Sequence, residues 1–214
     1  MKLAIGALAL LLVATAAQAT TTFTLGNVPS NDTNILLNSG MTGTTVTGTA
    51  NGVTGFTMVF TSTQTLMEPS SGQARVSANP EGTPLTNLTI SLANGATFGD
   101  LIINPFIGGL CASCTGGAST ITVTSRAANG TLEPASIFTG LNVGNGSNFL
   151  TIVDSAGESI VSVQISVPGG INDLRQPRIS GPFANAVPEP ATLGLFAMGL
   201  TGLAGALRKR VFAR

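Results

Sequence analysis

The chain has 214 residues, a formal net charge of +0 at pH 7, and no histidine, tryptophan or tyrosine. Without histidine, neither a Ser/His/Asp nor a Cys/His catalytic arrangement can be built, and the most common transition-metal ligand is missing. The sequence therefore predicts no metal site and no cofactor. Only 8% of residues are charged, and Thr, Ser, Asn and Gly supply most of the polarity. Such surfaces are common on extracellular β-sheet proteins.

The first residues have the pattern of an export signal. A short positive segment at residues 1–2 precedes an apolar run at residues 3–14. Ala17 and Ala19 then form an A-x-A signal cleavage site. We therefore expect a signal peptide at 1–19, export through the Sec translocon and cleavage by signal peptidase.

Residues 20–186 form the expected exported domain. This stretch has four arginines and eight acidic residues, which leaves it mildly acidic. A length of this order suits one domain with a single core. Because the sequence shows no basic patch, we expect no nucleic-acid partner.

Short segments with alternating apolar and polar residues recur through this domain, as in half-buried β-strands. The predicted strands are 56–60, 85–92, 101–103, 120–124, 149–153 and 160–167. We predict that the third strand stops at Asn104-Pro105 and that residues 154–157 form a hairpin turn between the last two strands. The sequence therefore predicts an all-β fold, an antiparallel β-sandwich, without giving its strand order.

Alternating apolar side chains within these strands predict one continuous core. The predicted core positions are Leu88, Ile90, Leu92, Ile121, Val123, Ile152, Val161, Val163 and Ile165.

The cysteines occur as Cys111-Ala-Ser-Cys114, between two Gly-Gly pairs. In an exported chain, an even pair first predicts a disulfide, here one that stiffens a single loop. A redox site and free thiols remain as alternatives, although a thioredoxin-like site needs a helix in a βαβ pattern that this sequence does not show.

The acidic residues leave a carboxylate-dependent glycosidase as one hypothesis, because acid–base catalysis by Asp and Glu needs no histidine. The candidates are Asp100, Glu133, Asp154, Glu158 and Asp173. None of them lies in a recognisable motif, and most lie in turn-like sequence, where a solvated carboxylate is the default. We therefore predict a protein without catalytic residues.

Residues 148–181 contain an alternating strand, a Gly-containing bend and the segment Asp173-Leu-Arg-Gln-Pro-Arg-Ile179. This stretch resembles the closing strands of jelly-roll domains found in many PEP-CTERM proteins, and the resemblance implies a jelly-roll-like sandwich. Pro177 lacks an amide donor, so we expect it at a sheet edge or at a bulge.

The C-terminal segment 187–214 has three parts. Pro188, Glu189 and Pro190 are followed by an uncharged run at 191–207, and a basic tail at 208–214 begins with Arg208, Lys209 and Arg210. As a helix, the apolar run would span about 26 Å, at the short end of what crosses a bilayer. The basic residues favour the cytoplasmic side and so act as a stop.

This order resembles the PEP-CTERM sorting signal of Gram-negative bacteria that make exopolysaccharide. The resemblance implies processing by the membrane protease-transpeptidase exosortase, after transient anchoring in the inner membrane through a transmembrane helix at 191–207. It implies a final location at the cell surface or in the extracellular matrix, with exopolysaccharide as a possible partner. An ordinary C-terminal membrane anchor is the alternative. For the exported domain, three functions remain open: a structural or interaction protein, a lectin-like carbohydrate-binding module, and a glycosidase.

Overall fold

A computed structural model describes residues 21–29, 32–71, 74–154 and 158–181. Within these ranges the chain is all-β, with antiparallel pairing throughout and one 3₁₀ turn at Ala93–Gly95. The strands are β1 (Thr22–Leu25), β2 (Thr33–Leu36), β3 (Thr42–Ala50), β4 (Thr57–Met67), β5 (Arg75–Ala78), β6 (Leu85–Leu92), β7 (Asp100–Ile107), β8 (Gly117–Ala118), β9 (Thr120–Arg126), β10 (Ser136–Phe138), β11 (Asn142–Val143), β12 (Gly146–Ser147), β13 (Leu150–Val153), β14 (Ser159–Ile171) and β15 (Asp173–Ser180).

Eight of these strands have the connectivity of a jelly roll. Strands β5, β15, β7 and β13 lie side by side in that order, and β6, β14, β9 and β10 form a second set. The chain passes back and forth between the two sets, from β5 to β6, to β7, to β9 and β10, to β13, to β14 and finally to β15. This is the double Greek-key arrangement of a jelly roll. The predicted all-β, jelly-roll-like fold is confirmed.

The remaining long strands join the two sets along one side. Strand β2 pairs with β15, β3 pairs with β2 and β4, and β4 pairs with β6. The hydrogen-bonded path ends at β1 on one side and at β10 on the other. At these two ends, the rings of Phe23 and Phe138 stack 4.9 Å apart and nearly parallel. An aromatic contact therefore lies between the two ends of the rolled sheet.

One buried cluster of apolar side chains forms the core, and it draws on both sets of strands. Eight of the nine predicted core positions belong to it, and Val161 is the exception. A register shift between Ile160 and Ser162 in the pairing of β14 with β9 explains the error. Because a bulge changes the phase of the side chains, Ile160 is buried while Val161 is only half-buried.

The predicted end of the strand at Asn104-Pro105 is wrong, since β7 continues to Ile107. On one side of β7, β13 pairs as far as Ile103 and β12 pairs from Phe106 onward, so no strand partner faces residues 104–105 there. The side chain of Asn148 spans this gap by donating a hydrogen bond to the Pro105 carbonyl (3.0 Å). Pro105, which has no amide hydrogen to donate, therefore lies where β7 has no strand partner on this side, and β7 can continue through it.

Two expectations about the closing strands have different outcomes. The predicted hairpin between residues 149–153 and 160–167 is wrong, because β13 pairs with β1 and β7 whereas β14 pairs with β6 and β9. Pro177 does lie at a bulge, where the pairing of β15 with β7 shifts between Arg175 and Arg178. At this bulge Gln176 has φ 48°, a left-handed conformation that is uncommon outside glycine.

The first and last described strands are aligned at one end of the sheet. Thr22 pairs with Val153, Val153 pairs with Asp100, and Asp100 pairs with Ser180. Since neighbouring strands lie about 4.8 Å apart, the start of β1 and the end of β15 are three strand spacings apart. The chain therefore enters and leaves the described domain at the same end.

Candidate functional site: an arginine-lined cleft

A cleft of about 510 Å³ opens where two short strands share one edge of β15. Strand β5 pairs with β15 at Asp173–Arg175, and β2 pairs with it at Arg178–Ile179. Between these two paired stretches, β15 has its bulge, and neither β2 nor β5 pairs with the bulged residues. The Gln176 amide there donates to the Ala74 carbonyl at 2.7 Å. The bulge and the break between β2 and β5 thus produce the concavity.

Three arginines line this cleft: Arg75, Arg175 and Arg178. We call this feature the arginine cleft. The sequence has only four arginines between residues 20 and 186. Three of the four are therefore gathered at one concave site of an acidic domain.

Asp173 lies beneath two of these arginines and is fully buried. Its carboxylate accepts hydrogen bonds from Nε and Nη2 of Arg175 at 2.6 and 3.1 Å, and from Nη1 of Arg75 at 3.3 Å. The Asn172 side-chain amide donates to it at 2.7 Å. Such charge-assisted bonds compensate for the loss of water around a buried carboxylate.

The strand register places Arg75 directly opposite Arg175. Like charges in this position repel each other and destabilise a strand pair. Asp173 offsets the repulsion because it binds both guanidinium groups, and Glu81 contacts Nη2 of Arg75 at 2.7 Å. The Arg175 guanidinium also lies over the Phe106 ring, 3.4 Å from its centroid. Two of the three guanidinium groups are therefore held in fixed positions.

Arg178 is half-buried and lies on the β2 side of the cleft. Its Nη1 donates to Oδ1 of Asn27, a neutral acceptor, at 3.5 Å. Within the described ranges, no carboxylate forms an ion pair with Arg178. Three guanidinium groups therefore line the arginine cleft, and two neighbouring carboxylates, Asp173 and Glu81, pair with two of them.

The rest of the cleft lining is neutral. The exposed amide side chains of Asn34 and Asn38 can donate and accept hydrogen bonds. Leu36, 37% exposed, adds apolar surface. The arrangement thus combines fixed cations, adaptable polar groups and an apolar patch, and convergent polar groups of this kind can fix the orientation of a ligand.

The carboxylates suggested for a glycosidase divide between two places. Asp100, Asp154 and Glu158 lie close enough to interact electrostatically, whereas Asp173 lies beneath the arginine cleft. Glu133 is half-buried beside β9, where its backbone amide bonds to Ser125. Over the ranges that the structure describes, no group of three or more His, Cys, Asp or Glu residues could hold a metal ion.

The surroundings of Asp154 alter its affinity for protons. Burial raises its pKa above the ordinary value of 3.8, and Glu158 and Asp100 act in the same direction. The Ser125 and Thr21 hydroxyls oppose the increase, and the Thr21 hydroxyl donates to Oδ1 of Asp154 at 3.1 Å. Desolvation disfavours the charged form of a carboxyl group, and here it outweighs the two hydroxyls.

Cys111 and Cys114 lie in the loop between β7 and β8, where a disulfide joins them with a Cα–Cα distance of 5.3 Å. Both side chains are buried in the core cluster. The loop is attached to the bend of β14, because the Thr115 amide donates to the Gly169 carbonyl at 2.9 Å. The Gly-rich loop therefore packs against the molecule as well as being cross-linked.

The predicted sorting and cleavage residues lie outside the described ranges. These are Ala17, Ala19, Pro188, Glu189, Pro190, Arg208, Lys209 and Arg210, together with the helix expected at 191–207. Between residues 21 and 181, as far as the structure describes them, there is no helix long and apolar enough to cross a membrane.

The fold and the cleft define a jelly-roll protein with a cationic surface site. The chain also carries the PEP-CTERM protein-sorting motif, which matches residues 186–210. This motif implies export and processing by exosortase.

Other comparisons add little to this identification. No curated protein matches the chain. A family 35 carbohydrate-binding module from Clostridium thermocellum is similar over 64% of this chain and 98% of its own, with 11% sequence identity and a TM-score of 0.17. A similarity this low supports no conclusion about a ligand.

The arginine cleft is not visible in the sequence. Arg175 and Arg178 belong to the strand motif at residues 173–179, and Arg75 is about a hundred residues away along the chain. One local signal in the sequence is the scarcity of arginine in an acidic domain, with two of the four arginines in one short segment. That signal identifies the segment, whereas only the strand pairing brings Arg75 to it.

Proposed function

We propose that this protein is a non-catalytic exported protein that exosortase sorts to the cell surface or the extracellular polysaccharide matrix of a Gram-negative bacterium. There, its jelly-roll domain serves as a structural or interaction module. The observation that carries the proposal is the sorting motif at residues 186–210, which begins six residues after the last strand, β15. The export signal expected at 1–19 agrees with this route.

The test of sorting changes Pro188, Glu189 and Pro190 together to Ala in the native host. The precursor should then stay in the inner membrane with its tail intact, because the apolar run still anchors it while exosortase loses its recognition element. Membrane fractionation and intact mass measurement of the C-terminus provide the readout. Pro182→Ala, outside the matched residues, is the control and should be processed normally. Identical processing of the triple variant and the wild type would overturn exosortase sorting.

The proposed orientation before processing places the domain outside and residues 208–214 in the cytoplasm. A charged residue at the bilayer centre costs about 2.5–3.5 kcal/mol on translocon scales. Arg208, Lys209 and Arg210 should therefore stop translocation, and a periplasmic reporter fused after Arg214 should be inactive. Replacing the three with neutral residues removes this stop. An active reporter on the wild-type chain contradicts the orientation.

A lectin-like module is the second candidate for the domain, and the arginine cleft is the observation that favours it. Its fixed guanidinium groups, amide side chains and apolar patch are suited to a polar ligand with apolar faces. Binding to matrix glycans at millimolar or better affinity distinguishes this candidate from a purely structural role. Release of shorter sugars from those glycans would instead identify a glycosidase.

A further inference from the structure

We propose that the arginine cleft binds the carboxylate groups of an acidic polysaccharide. The proposal deepens the lectin-like function and rests on it, but it is independent of sorting by exosortase. It assigns a ligand class to residues that meet only in the folded chain: Arg75 and Arg175 on neighbouring strands, and Arg178 beyond the bulge.

The first argument is charge. Residues 20–186 have twice as many acidic residues as arginines, so the domain as a whole repels anions. The arginine cleft is a local exception, because three guanidinium groups line it and only two carboxylates beside it pair with them. The Arg178 side chain donates a hydrogen bond to the neutral Asn27 side chain, and no carboxylate of the described ranges forms an ion pair with it. An incoming anion therefore meets a guanidinium group without a carboxylate partner among the described residues.

The second argument is that the cations are already positioned. Asp173 holds Arg175 through Nε and Nη2, which leaves Nη1 without an acceptor among the described residues. The Phe106 ring supports the same guanidinium from one face. Because less side-chain freedom is lost when the ligand binds, groups fixed in this way bind more tightly than mobile ones. Asp173 therefore acts as a positioning residue for the site.

The third argument identifies the ligand as a carboxylate-bearing sugar. The guanidinium group is planar, and its paired N–H donors match the two oxygens of a carboxylate. A single inorganic anion is much smaller than a cleft of about 510 Å³. The amides of Asn34 and Asn38 are suited to sugar hydroxyls, and Leu36 offers an apolar surface for the C–H face of a ring. Several sugar units of a chain can therefore contribute contacts.

The test measures binding by the full-length chain, purified in mild detergent, to oligogalacturonate by titration calorimetry. A neutral gluco-oligosaccharide of the same length is the matched ligand, and sodium sulfate is the inorganic anion. We expect wild-type binding of oligogalacturonate that weakens with added salt. Arg178→Gln should weaken it at least tenfold. Arg126→Gln is the matched control because Arg126, on β9, donates to the Gly130 carbonyl at 2.9 Å and does not line the cleft.

A second cleft variant tests the proposal even if Arg178→Gln does not fold. Asn38→Asp adds a carboxylate at an exposed position of the cleft and should also weaken binding at least tenfold, whereas Asn129→Asp, at an exposed turn, should not. Circular dichroism should show the same β spectrum for all variants. The proposal fails if both cleft variants bind oligogalacturonate as the wild type does.

The ligands separate the remaining outcomes. If the neutral oligosaccharide binds as well as the acidic one, the lectin-like function stands and the acidic ligand class is wrong. If sulfate binds at the cleft as tightly as oligogalacturonate, the site is specific for small anions and the polysaccharide assignment is wrong. If neither saccharide binds, the acidic-ligand proposal and the lectin-like function both fail, while exosortase sorting is unaffected.

Discussion

Two buried aspartates, in different regions of the same sheet, have opposite electrostatic environments. Asp173 is completely buried, yet two guanidinium groups and an amide donate hydrogen bonds to it. Asp154 is 8% exposed, accepts a hydrogen bond from the Thr21 hydroxyl and has two other carboxylates nearby. Burial alone does not decide whether a carboxylate stabilises this fold. Its partners do.

This difference has a functional counterpart. Around Asp173, the compensating cations extend to the surface and form the arginine cleft. Around Asp154, the charges have the same sign and favour uptake of a proton. The first region is therefore suited to an external anion, and the second is sensitive to pH.

The largest expected effect comes from removing the charge that holds the arginines. Asp173→Asn should lower the free energy of unfolding by about 3–5 kcal/mol, because Arg75 and Arg175 are then left opposite each other without their shared carboxylate. Urea unfolding at neutral pH measures this. Glu133→Gln, away from the cleft, is the control and should have little effect. A loss below about 1 kcal/mol, the level of a surface ion pair, would show that the two arginines simply move apart into water.

Shortening a buried apolar side chain gives the free energy of unfolding that burial contributes where no charge is involved, for comparison with Asp173→Asn. Ile165→Ala should cost about 2–5 kcal/mol, since Ile165 is 2% exposed and its side chain lies in the core cluster. Gln164→Ala, at the exposed neighbouring position of β14, is the matched control and should be nearly neutral. If the two substitutions prove equal in urea unfolding, the assignment of the faces of β14 is wrong.

The disulfide between Cys111 and Cys114 is a covalent contact between two buried residues, and its contribution to stability can be compared with those of charge and apolar packing. Cys111→Ser with Cys114→Ser should cost at most about 2 kcal/mol, because closing so short a loop constrains the unfolded chain little. The β circular-dichroism signal should persist. Val163→Ala and Ile165→Ala are the comparisons and should cost as much or more. If the double cysteine variant fails to fold while both core variants are mild, the loop is central to the fold.

The smallest expected effect is a gain in the free energy of unfolding, unlike the losses predicted above, and it depends on pH. Since the folded-state pKa of Asp154 is raised, the folded protein binds this proton more tightly than the unfolded chain, and stability falls as pH rises through the raised pKa. Asp154→Asn removes that dependence and can still accept from Thr21. Relative to the wild type, the variant should therefore gain stability as pH rises from below 3.8, the ordinary value.

The measurement is urea unfolding of Asp154→Asn and wild type at several pH values from 3 to 7, with Glu133→Gln as the control. A stability difference that does not change with pH would contradict the raised pKa of Asp154. A difference that changes in the opposite direction would mean that the hydroxyl groups of Thr21 and Ser125 outweigh burial.

Much of the fold could be predicted because alternation is a local signal. Strand β6 occupies the predicted residues 85–92, and the alternating core of β9 and β14 is largely as expected. The errors occur where pairing with a distant strand decides the outcome. Pro105 is tolerated because of a gap filled by Asn148, and Val161 leaves the core because of a bulge against β9.

The arginine cleft could not be predicted for the same physical reason. Its edges belong to β2, β5 and β15, and its concavity comes from the way two short strands divide one edge of a long one. The sequence does not encode strand order in any local pattern. Residues 173–179 indicate a closing strand, but which arginine this strand faces depends on a pairing between positions about a hundred residues apart.

The alignment of Thr22 with Ser180 has a mechanical consequence. Strand β15 lies inside the sheet, paired with β7 on one side and with β2 and β5 on the other, and its C-terminal end is where the chain continues toward the sorting motif. Tension could be applied through that end along the axis of β15. Because the hydrogen bonds between antiparallel strands run perpendicular to the strands, the pull loads them together in shear instead of opening them one at a time. If exosortase sorting leaves the domain held by this end, strand β15 should therefore resist being peeled out of the sheet.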